Sequence, residues 1–542
     1  MAQSAYGRRA LAAAALLGLV ATACTARIEG EAPGGARESR LVIAYPEDVG
    51  PLNLFTSHDE ALAELVYDKL VAPSPYVDDQ QPWLARRITP IDARTWEIEL
   101  RSGISWQDGE PFTVDDVVFT FDYFRSTPSN RWTHHVSEVP RIVQVAAVDR
   151  STVRLECAYP CPQLGSVTLA DLPIIPQHIW DGVKDPTKIA ALPIGTGPYR
   201  LVEYRTGRHY RFEANENYFR GKPVIDELIM PIIEDPSTTF TALRGGEVDA
   251  AARPLPPELI ASFQEIDGIS LLQTSPLSLV ELRLNFEREP FSDHDFRRAL
   301  SLAIDRQELV DILLLGRGRP GTLGYPHPDS PWTNPNNEQP YQPALAAILL
   351  DRLGFTDDDG DGTREDDAGR PLRFTLLVAG TEPTQVRAAE IISERFREIG
   401  VAVSVRPVDP GTIGELFTTR DFDMYMGAIT AHGIADPDQF IMSHLSGYLW
   451  REGIPYPQFD RLLRKWKAAD SISERRRISF RMQELYNRQP TTIALYYPEE
   501  LYAFNRQSFD GWVEARGYGM VHKWSFLGPQ VRRNLVVPTS TQ

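Results

Sequence analysis

Apolar and polar positions alternate from Thr95 to Leu100, with Trp96, Ile98 and Leu100 on one side and Glu97, Glu99 and Arg101 on the other. That two-residue period predicts a half-buried strand, which Ser102-Gly103 ends. After Ile104 and Trp106, the turn Gln107-Asp108-Gly109-Glu110 leads into Thr113-Val114-Asp115-Asp116. A hydroxyl followed three residues on by an acid predicts a capped helix start. Val114, Val117, Val118, Phe121 and Phe124 then recur at helical spacing, so the helix should run to about Arg125. A second helix is predicted from a cap at Ser292 or Asp293, with Phe296, Ala299, Leu300, Ala303 and Ile304 inward, ending near Gly316. Between residues 374 and 405 the pattern reads strand, helix, strand: Phe374 to Val378, then Ile392, Phe396 and Ile399 closed by Gly400, then Val401, Val403 and Val405. This is the spacing of a parallel crossover. A further strand, Phe422 to Ile429, runs into the loop Thr430 to Asp438. In open α/β sheets, ligands gather at such carboxyl-end loops.

Composition narrows the class. The 542 residues carry 74 Asp+Glu against 56 Lys+Arg, a net charge of −18, which leaves no basic stripe to neutralise phosphates and excludes nucleic acid as a partner. With 42% hydrophobic and 10% aromatic residues the chain can build real cores, so disorder is excluded. No apolar run of about 18 residues follows the N-terminal segment, which excludes a membrane-embedded transporter. The N-terminus reads as an export signal: Arg8 and Arg9 precede the apolar run Ala10 to Val20, and Val20-Ala21-Thr22-Ala23-Cys24 resembles a bacterial lipobox. Residues 1–23 are then a signal peptide and Cys24 the lipidated residue. Ala21 stands where a lipobox usually has Leu, and ordinary cleavage near Ala23 is the alternative. Residues 24–40, with Pro33, Gly34 and Gly35 among alternating charges, read as a flexible tether. Cys157 and Cys161 bracket Ala158-Tyr159-Pro160 in an exported, oxidising context, where a local disulfide ranks ahead of two buried thiols or half a metal site.

Four ordered blocks carry a resemblance. The first is Trp96 to Arg101 with Gly103-Ile104-Ser105-Trp106-Gln107-Asp108-Gly109 and Asp115-Asp116-Val117. The second is Gly195-Thr196-Gly197-Pro198-Tyr199, Asn217-Tyr218-Phe219-Arg220-Gly221-Lys222-Pro223 and Gly246-Glu247-Val248-Asp249. The third is Pro290-Phe291-Ser292-Asp293 with Arg297-Arg298-Ala299-Leu300 and Ala303-Ile304-Asp305-Arg306, and the last is Phe509-Asp510-Gly511-Trp512. Together they resemble family 5 extracellular solute-binding proteins, the oligopeptide-, dipeptide- and nickel-binding subunits of ABC importers. The resemblance implies an α/β bilobed periplasmic-binding-protein clamp, type II and cluster C-like, with an inserted accessory domain. On that pattern lobe I takes 41–70, 191–275 and 493–535, the accessory domain 71–190, and lobe II 276–492. It also implies a monomer that is no enzyme, needs no cofactor and delivers its solute to permease subunits.

Peptide-binding members place an Asp before the Asp-Pro of the second lobe, where it pairs with the peptide amine. Here the loop reads Ala431-His432-Gly433-Ile434-Ala435-Asp436-Pro437-Asp438, which puts Gly433 at that position. The Arg that dipeptide binders use for the carboxylate is also missing from Gly380-Thr381-Glu382. A zwitterionic dipeptide would therefore lose its hydration without gaining partners. An oligopeptide held through its backbone ranks first and an oligosaccharide or other polar solute second. His432, Gly433 and Asp436 are the loop candidates, with a turn role before Pro437 the alternative for Asp436. Among the aromatics, Tyr45, Tyr325 and Trp332 are the candidates for stacking on the solute, the last two because they lie in the Gly/Pro-rich stretch 316–343.

Asp357-Asp358-Asp359-Gly360-Asp361-Gly362 matches the start of a D-x-D-x-D-G calcium loop, with Asp366 or Asp367 to complete the shell. Ala368 stands where an EF-hand needs a bidentate Glu, so a structural calcium in a different frame, or a solvated acidic turn, are the readings. The histidines His134, His135, His432 and His444 form no metal-binding spacing. A secreted hydrolase is the competing class, but neither G-x-S-x-G nor H-E-x-x-H occurs.

Overall fold

The computed structural model describes residues 39–535, except 58, 74–79, 128–131, 133, 138–139, 167, 190, 275–276, 323–325, 338, 431–456, 491 and 516–517. Two mixed sheets organise it. The first has seven strands in the order Ile269–Thr274, Glu500–Asn505, Ala250–Ala251, Arg40–Ala44, Glu227–Pro231, His209–Ala214 and Tyr199–Arg205. The second has six, in the order Gly318–Pro320, Thr492–Pro498, Ser278–Leu284, Met424–Thr430, Arg373–Ala379 and Ala402–Val408. Strand Thr492–Pro498 bonds to Ser278–Leu284, so the return crossing lies at Glu499 and not at residue 493. The second lobe therefore keeps its central pair of strands.

The periodic segments fold as their patterns require. Thr95–Leu100 is a strand with Ile98 and Leu100 buried, in a four-stranded antiparallel sheet with Ala85–Pro90, Thr152–Cys157 and Ile142–Ala147. Helix Val114–Ser126 is capped by Thr113, and the Asp116 carboxylate accepts from the Thr113 N–H at 2.8 Å, completing the reciprocal cap. Arg373–Ala379 and Ala402–Val408 are parallel, joined by helix Pro383–Glu398.

A helix end is corrected as well. The helix starting after Asp293 ends at Leu302, and a separate one, Arg306–Leu313, begins after Asp305. The physical reason is a second cap: the Asp305 carboxylate accepts from the Gln307 and Glu308 N–H groups at 3.1 Å. The two motif arginines then make sense. Buried Arg306 donates to the carbonyls of Ala494 and Ser301, tying the end of the first helix to the sheet, while buried Arg297 donates to Pro490 and Phe291. Burial without a carboxylate in contact holds Arg306 down at about 10.

The apolar interior follows the layers. Both faces of the second sheet are covered, one by Phe296, Leu300, Ile392 and Phe396 from flanking helices and the other by Phe459, Trp466 and Met482. One continuous cluster joins the first sheet to the accessory sheet through residues such as Leu62, Leu65, Trp106, Phe121, Tyr199 and Phe212. Each such side chain contributes about 1.5–3 kcal/mol on burial. The accessory part is therefore welded to the first lobe.

Candidate functional site

The chain passes between the sheets twice, from Thr274 to Ser278 and from Pro498 to Glu500, and the two crossings touch. Glu500 receives the Tyr502 hydroxyl at 2.7 Å and the Ser278 hydroxyl at 3.3 Å. Burial raises its carboxyl to about 6, with both hydroxyls opposing. Beside it, buried Leu277 takes a left-handed φ of 56°, a conformation that costs a non-glycine residue roughly 1–2 kcal/mol and persists because packing holds it.

Within each lobe neighbouring parallel strands, Arg40–Ala44 with Ala250–Ala251 and Arg373–Ala379 with Ala402–Val408, put their carboxyl ends on one side. Tyr45 follows Arg40–Ala44, and its hydroxyl donates to Asp59, the cap of helix Glu60–Val66. Its ring is buried edge-to-face against Tyr210. Tyr45 is thus part of the wall, and its polar end is already engaged. Two residues on, Glu47 reaches solvent; protein crowded around it and the nearby Asp59 and Glu382 raise its pKa, with Arg253 opposing. Arg253 follows Ala250–Ala251 and donates to the Glu234 carbonyl at 2.7 Å. From the second lobe, Glu382 begins helix Pro383–Glu398; burial lifts its pKa and Arg253 lowers it. The side chains of Glu47 and Glu382 make no hydrogen bond or ion pair among the described residues, while the Glu382 N–H donates to the Ala379 carbonyl at 3.1 Å.

Of the other expected solute contacts, Trp332 is corrected: it is 3% exposed, its carbonyl receives Gln483 Nε2 at 2.7 Å, and Arg476 covers its ring. Packing against helix Ile472–Arg488 accounts for it. Tyr325, His432, Gly433 and Asp436 lie outside the described residues, as does Cys24. Away from the crossings, the second lobe also grips the accessory part. Arg475, 2% exposed and stacked on Trp466, donates to Gln163 Oε1 at 3.2 Å and to the Pro160 carbonyl. That carbonyl belongs to the loop closed by the Cys157–Cys161 disulfide.

The family model for bacterial extracellular solute-binding proteins, family 5, middle region, matches residues 79–450. The chain belongs to family 5 of the bacterial extracellular solute-binding proteins. Its relatives in this family are receptors of ABC importers and not enzymes. The family 5 chain is 30% identical to the nickel-binding periplasmic protein of Escherichia coli, covering 68% of this chain and 71% of that one. It is 27% identical to the oligopeptide-binding protein AppA of Bacillus subtilis, covering 77% of this chain and 78% of that one. In fold it is similar to NikZ of Campylobacter jejuni in complex with Ni(L-His), with a TM-score of 0.80 at 24% identity over 90% of this chain and 98% of that one.

The blocks that carry the family 5 resemblance are scaffold. Gln107 of the first block donates to the Tyr199 carbonyl at 2.8 Å and accepts from the Gly195 N–H at 3.1 Å, both in the second block. Among the described residues no helix is long and apolar enough to cross a membrane.

The acidic loop of the family 5 protein brings ligand oxygens of Asp357, Asp359 and Asp361 within 4.8 Å of one another, all three residues exposed. Asp366 and Asp367 do not join them, which corrects the wider set. Asp366 is turned to Arg370, at 2.7 Å, and to the N–H groups of its own turn, while Asp367 lies against Gly354. Hard oxygen donors suit a calcium ion, but Arg373 already pairs with Asp361 at 2.9 Å. The sequence reading missed Glu47, Arg253 and Arg475. Single charged residues in otherwise ordinary segments give no signal until topology brings them together.

Proposed function

We propose that the chain captures an oligopeptide between its two lobes and hands it to the permease subunits of an ABC importer, acting as a monomer. In this reading residues 1–23 are removed, Cys24 carries a lipid, and the 24–40 tether keeps the receptor at the outer face of the cytoplasmic membrane. One observation carries it: Glu47 and Arg253, which follow strands of the first sheet, and Glu382, which follows a strand of the second, act on one another electrostatically. Charges of both signs from the two lobes suit a polar solute that completes them when it is enclosed. Two relatives, one oligopeptide-binding and one nickel-binding, support a charged or strongly polar cargo. Native mass spectrometry of the purified protein, followed by release of what it carries, should give a heterogeneous set of short peptides. Hexose-spaced masses or a single defined adduct would move the cargo to an oligosaccharide or a specialised solute. If nothing is carried and no peptide, sugar or metal chelate shifts the melting temperature, solute capture is wrong.

We also propose that Asp357, Asp359 and Asp361 hold a structural calcium ion. Millimolar Ca²⁺ added to chelator-treated protein should raise the melting temperature by a few degrees, and Asp359→Asn should remove that gain. An unchanged melting temperature in the parent protein would leave the loop a solvated turn.

A further inference from the structure

The second lobe touches the accessory part away from the crossings, and the contact is built around one arginine. Arg475 stands in the first turn of helix Ile472–Arg488, whose Ile478 and Met482 pack with Leu279 and Ala494 of the second sheet. Its own lobe fixes it: Nε donates to the Ala469 carbonyl at 3.2 Å, and the guanidinium lies 4.0 Å from the centre of the Trp466 ring. The other two nitrogens reach out of the lobe. Nη1 donates to Gln163 Oε1 at 3.2 Å and Nη2 to the Pro160 carbonyl, and beside them the Lys467 ammonium lies 5.3 Å from the centre of the Tyr159 ring. Arg475 and Gln163 are both buried. The acceptor side is held as firmly as the donor. The Cys157–Cys161 disulfide closes the loop that carries Pro160, and the N–H groups of Cys157, Ala158 and Cys161 donate to the carbonyls of Arg94, Arg141 and Ala93 at 2.9, 2.8 and 2.9 Å.

Chain connectivity gives this contact its meaning. The accessory part shares a continuous apolar cluster with the first sheet and moves with it, whereas the second lobe is joined to that body by the crossings at Thr274–Ser278 and Pro498–Glu500. A rotation about the crossings that parts the lobes also draws Arg475 off Gln163 and Pro160. We propose that Arg475 is a closure latch: its two outward bonds to the accessory part hold the clamp shut, and opening to release a solute breaks them. The proposal rests on the reading that a solute is captured between the lobes and holds whichever solute it is. A charged donor on neutral acceptors suits this role. Such bonds are stronger than neutral ones, yet water replaces them once the interface parts. Gln163 Nε2, which has no acceptor among the described residues, regains water in the same movement, so the latch adds to closure without making it permanent. The accessory part then does more than extend the first lobe: it sets the balance between open and closed forms on which solute affinity depends.

Spin labels on Arg150→Cys, in the turn after strand Ile142–Ala147, and on Arg481→Cys, in helix Ile472–Arg488, report the separation of the two bodies by pulsed dipolar spectroscopy in the full chain carrying Cys24→Ser. Carried solute is removed by unfolding in guanidinium with the disulfide intact and refolding, and a tryptic digest of casein serves as the peptide probe. The parent should show a short and a long distance, with the digest favouring the short one. Arg475→Ala should raise the ratio of long to short about tenfold with or without digest, the weight of one hydrogen bond to a charged group. Gln163→Ala, made on the other side of the contact, should raise it severalfold. Arg477→Ala, an exposed arginine on the same helix, should leave it unchanged. If Arg475 only braces its own helix pair, its variant melts earlier with the parent's distances and Gln163→Ala does nothing, which overturns the latch. If the digest shortens the distance equally in all proteins and the variants match the parent, the latch is wrong and peptide capture stands. Variants that lengthen the distance while the digest moves none of them keep the latch and remove the oligopeptide reading. A single short distance in every protein means that the lobes do not part, and both fall.

Discussion

Lys523→Met should destabilise the protein by about 3–5 kcal/mol, the cost of removing one partner from a buried ion pair and leaving charge without compensation. Lys523 is 0% exposed, and its ammonium sits 3.0 Å from Asp68 and 3.2 Å from Glu64. Asp68 also accepts from Trp83 Nε1 at 2.7 Å, from the Tyr218 hydroxyl at 3.1 Å and from the Thr196 hydroxyl at 3.1 Å. One carboxylate thus ties together four chain segments that are far apart in sequence: the first helix, the accessory part, the central stretch and the C-terminal segment. Methionine keeps the volume and removes only the charge. Urea unfolding at pH 7 followed by intrinsic fluorescence measures the loss, with Trp83 and Trp524 packed beside the site as reporters.

The pH dependence checks the mechanism. Burial raises the Glu64 carboxyl, but Lys523 and Lys69 outweigh it and hold the pKa below its ordinary value. A carboxyl depressed in the folded state adds stability above its unfolded pKa and loses it as pH falls through the folded one. Without Lys523 the burial penalty gains weight, so the gap between variant and parent should be widest near pH 7 and shrink toward pH 4. Lys222→Met, which removes an exposed cation paired with Glu216 and Asp226, should change little. A Lys523→Met protein as stable as its parent at pH 7 would mean that Asp68 and Glu64 are adequately compensated by their neutral donors and Lys69.

How much of this could be read from the sequence depended on whether the determinant was local. The cap at Thr113 and Asp116, the strand Thr95–Leu100 and the crossover from Arg373 to Val408 are set by spacing within a few residues, and the structure places them where the periodicity does. The break between Leu302 and Arg306 was missed because Ala303 and Ile304 are buried in either arrangement, so their pattern does not separate one helix from two. Only the Asp305 cap does. The solute contacts were less legible. Trp332 looked free because it lies in a Gly/Pro-rich stretch, yet a helix that begins at Ile472 covers it. Glu47 and Glu382 are 335 positions apart, and only the fold brings Glu382 close enough to raise the Glu47 pKa. Spacing rules do not reach that far. The resemblance supplied the overall architecture, but its blocks hold the accessory part to the first lobe and say little about the cargo.

Gly195→Ala tests that last point, and it should cost at least about 3 kcal/mol, the upper end of what overpacking a close-packed site does. A Cβ at Gly195 would stand 1.9 Å from the Val66 carbonyl oxygen, and one at Gly197 would stand 2.5 Å from the Leu65 and Val66 oxygens. Both obstacles are backbone, so no side chain can rotate away. Relief requires the segment to lift off helix Glu60–Val66, which breaks the Gly197 N–H bond to Val66 at 2.8 Å and loosens the Gln107 bonds to Gly195 and Tyr199. Thr196 would be drawn from Asp68 in the same movement, coupling this site to Lys523. Gly165→Ala is the matched control, because no atom lies within 4 Å of a Cβ there and its backbone is not left-handed. That change should be neutral or stabilise by up to about 1 kcal/mol through the unfolded chain. If Gly195→Ala melts with the parent while Gln107→Ala does not, close backbone contact is not what the glycine provides. If both fall together and a carried solute is still released with unchanged affinity, the signature block serves the scaffold alone.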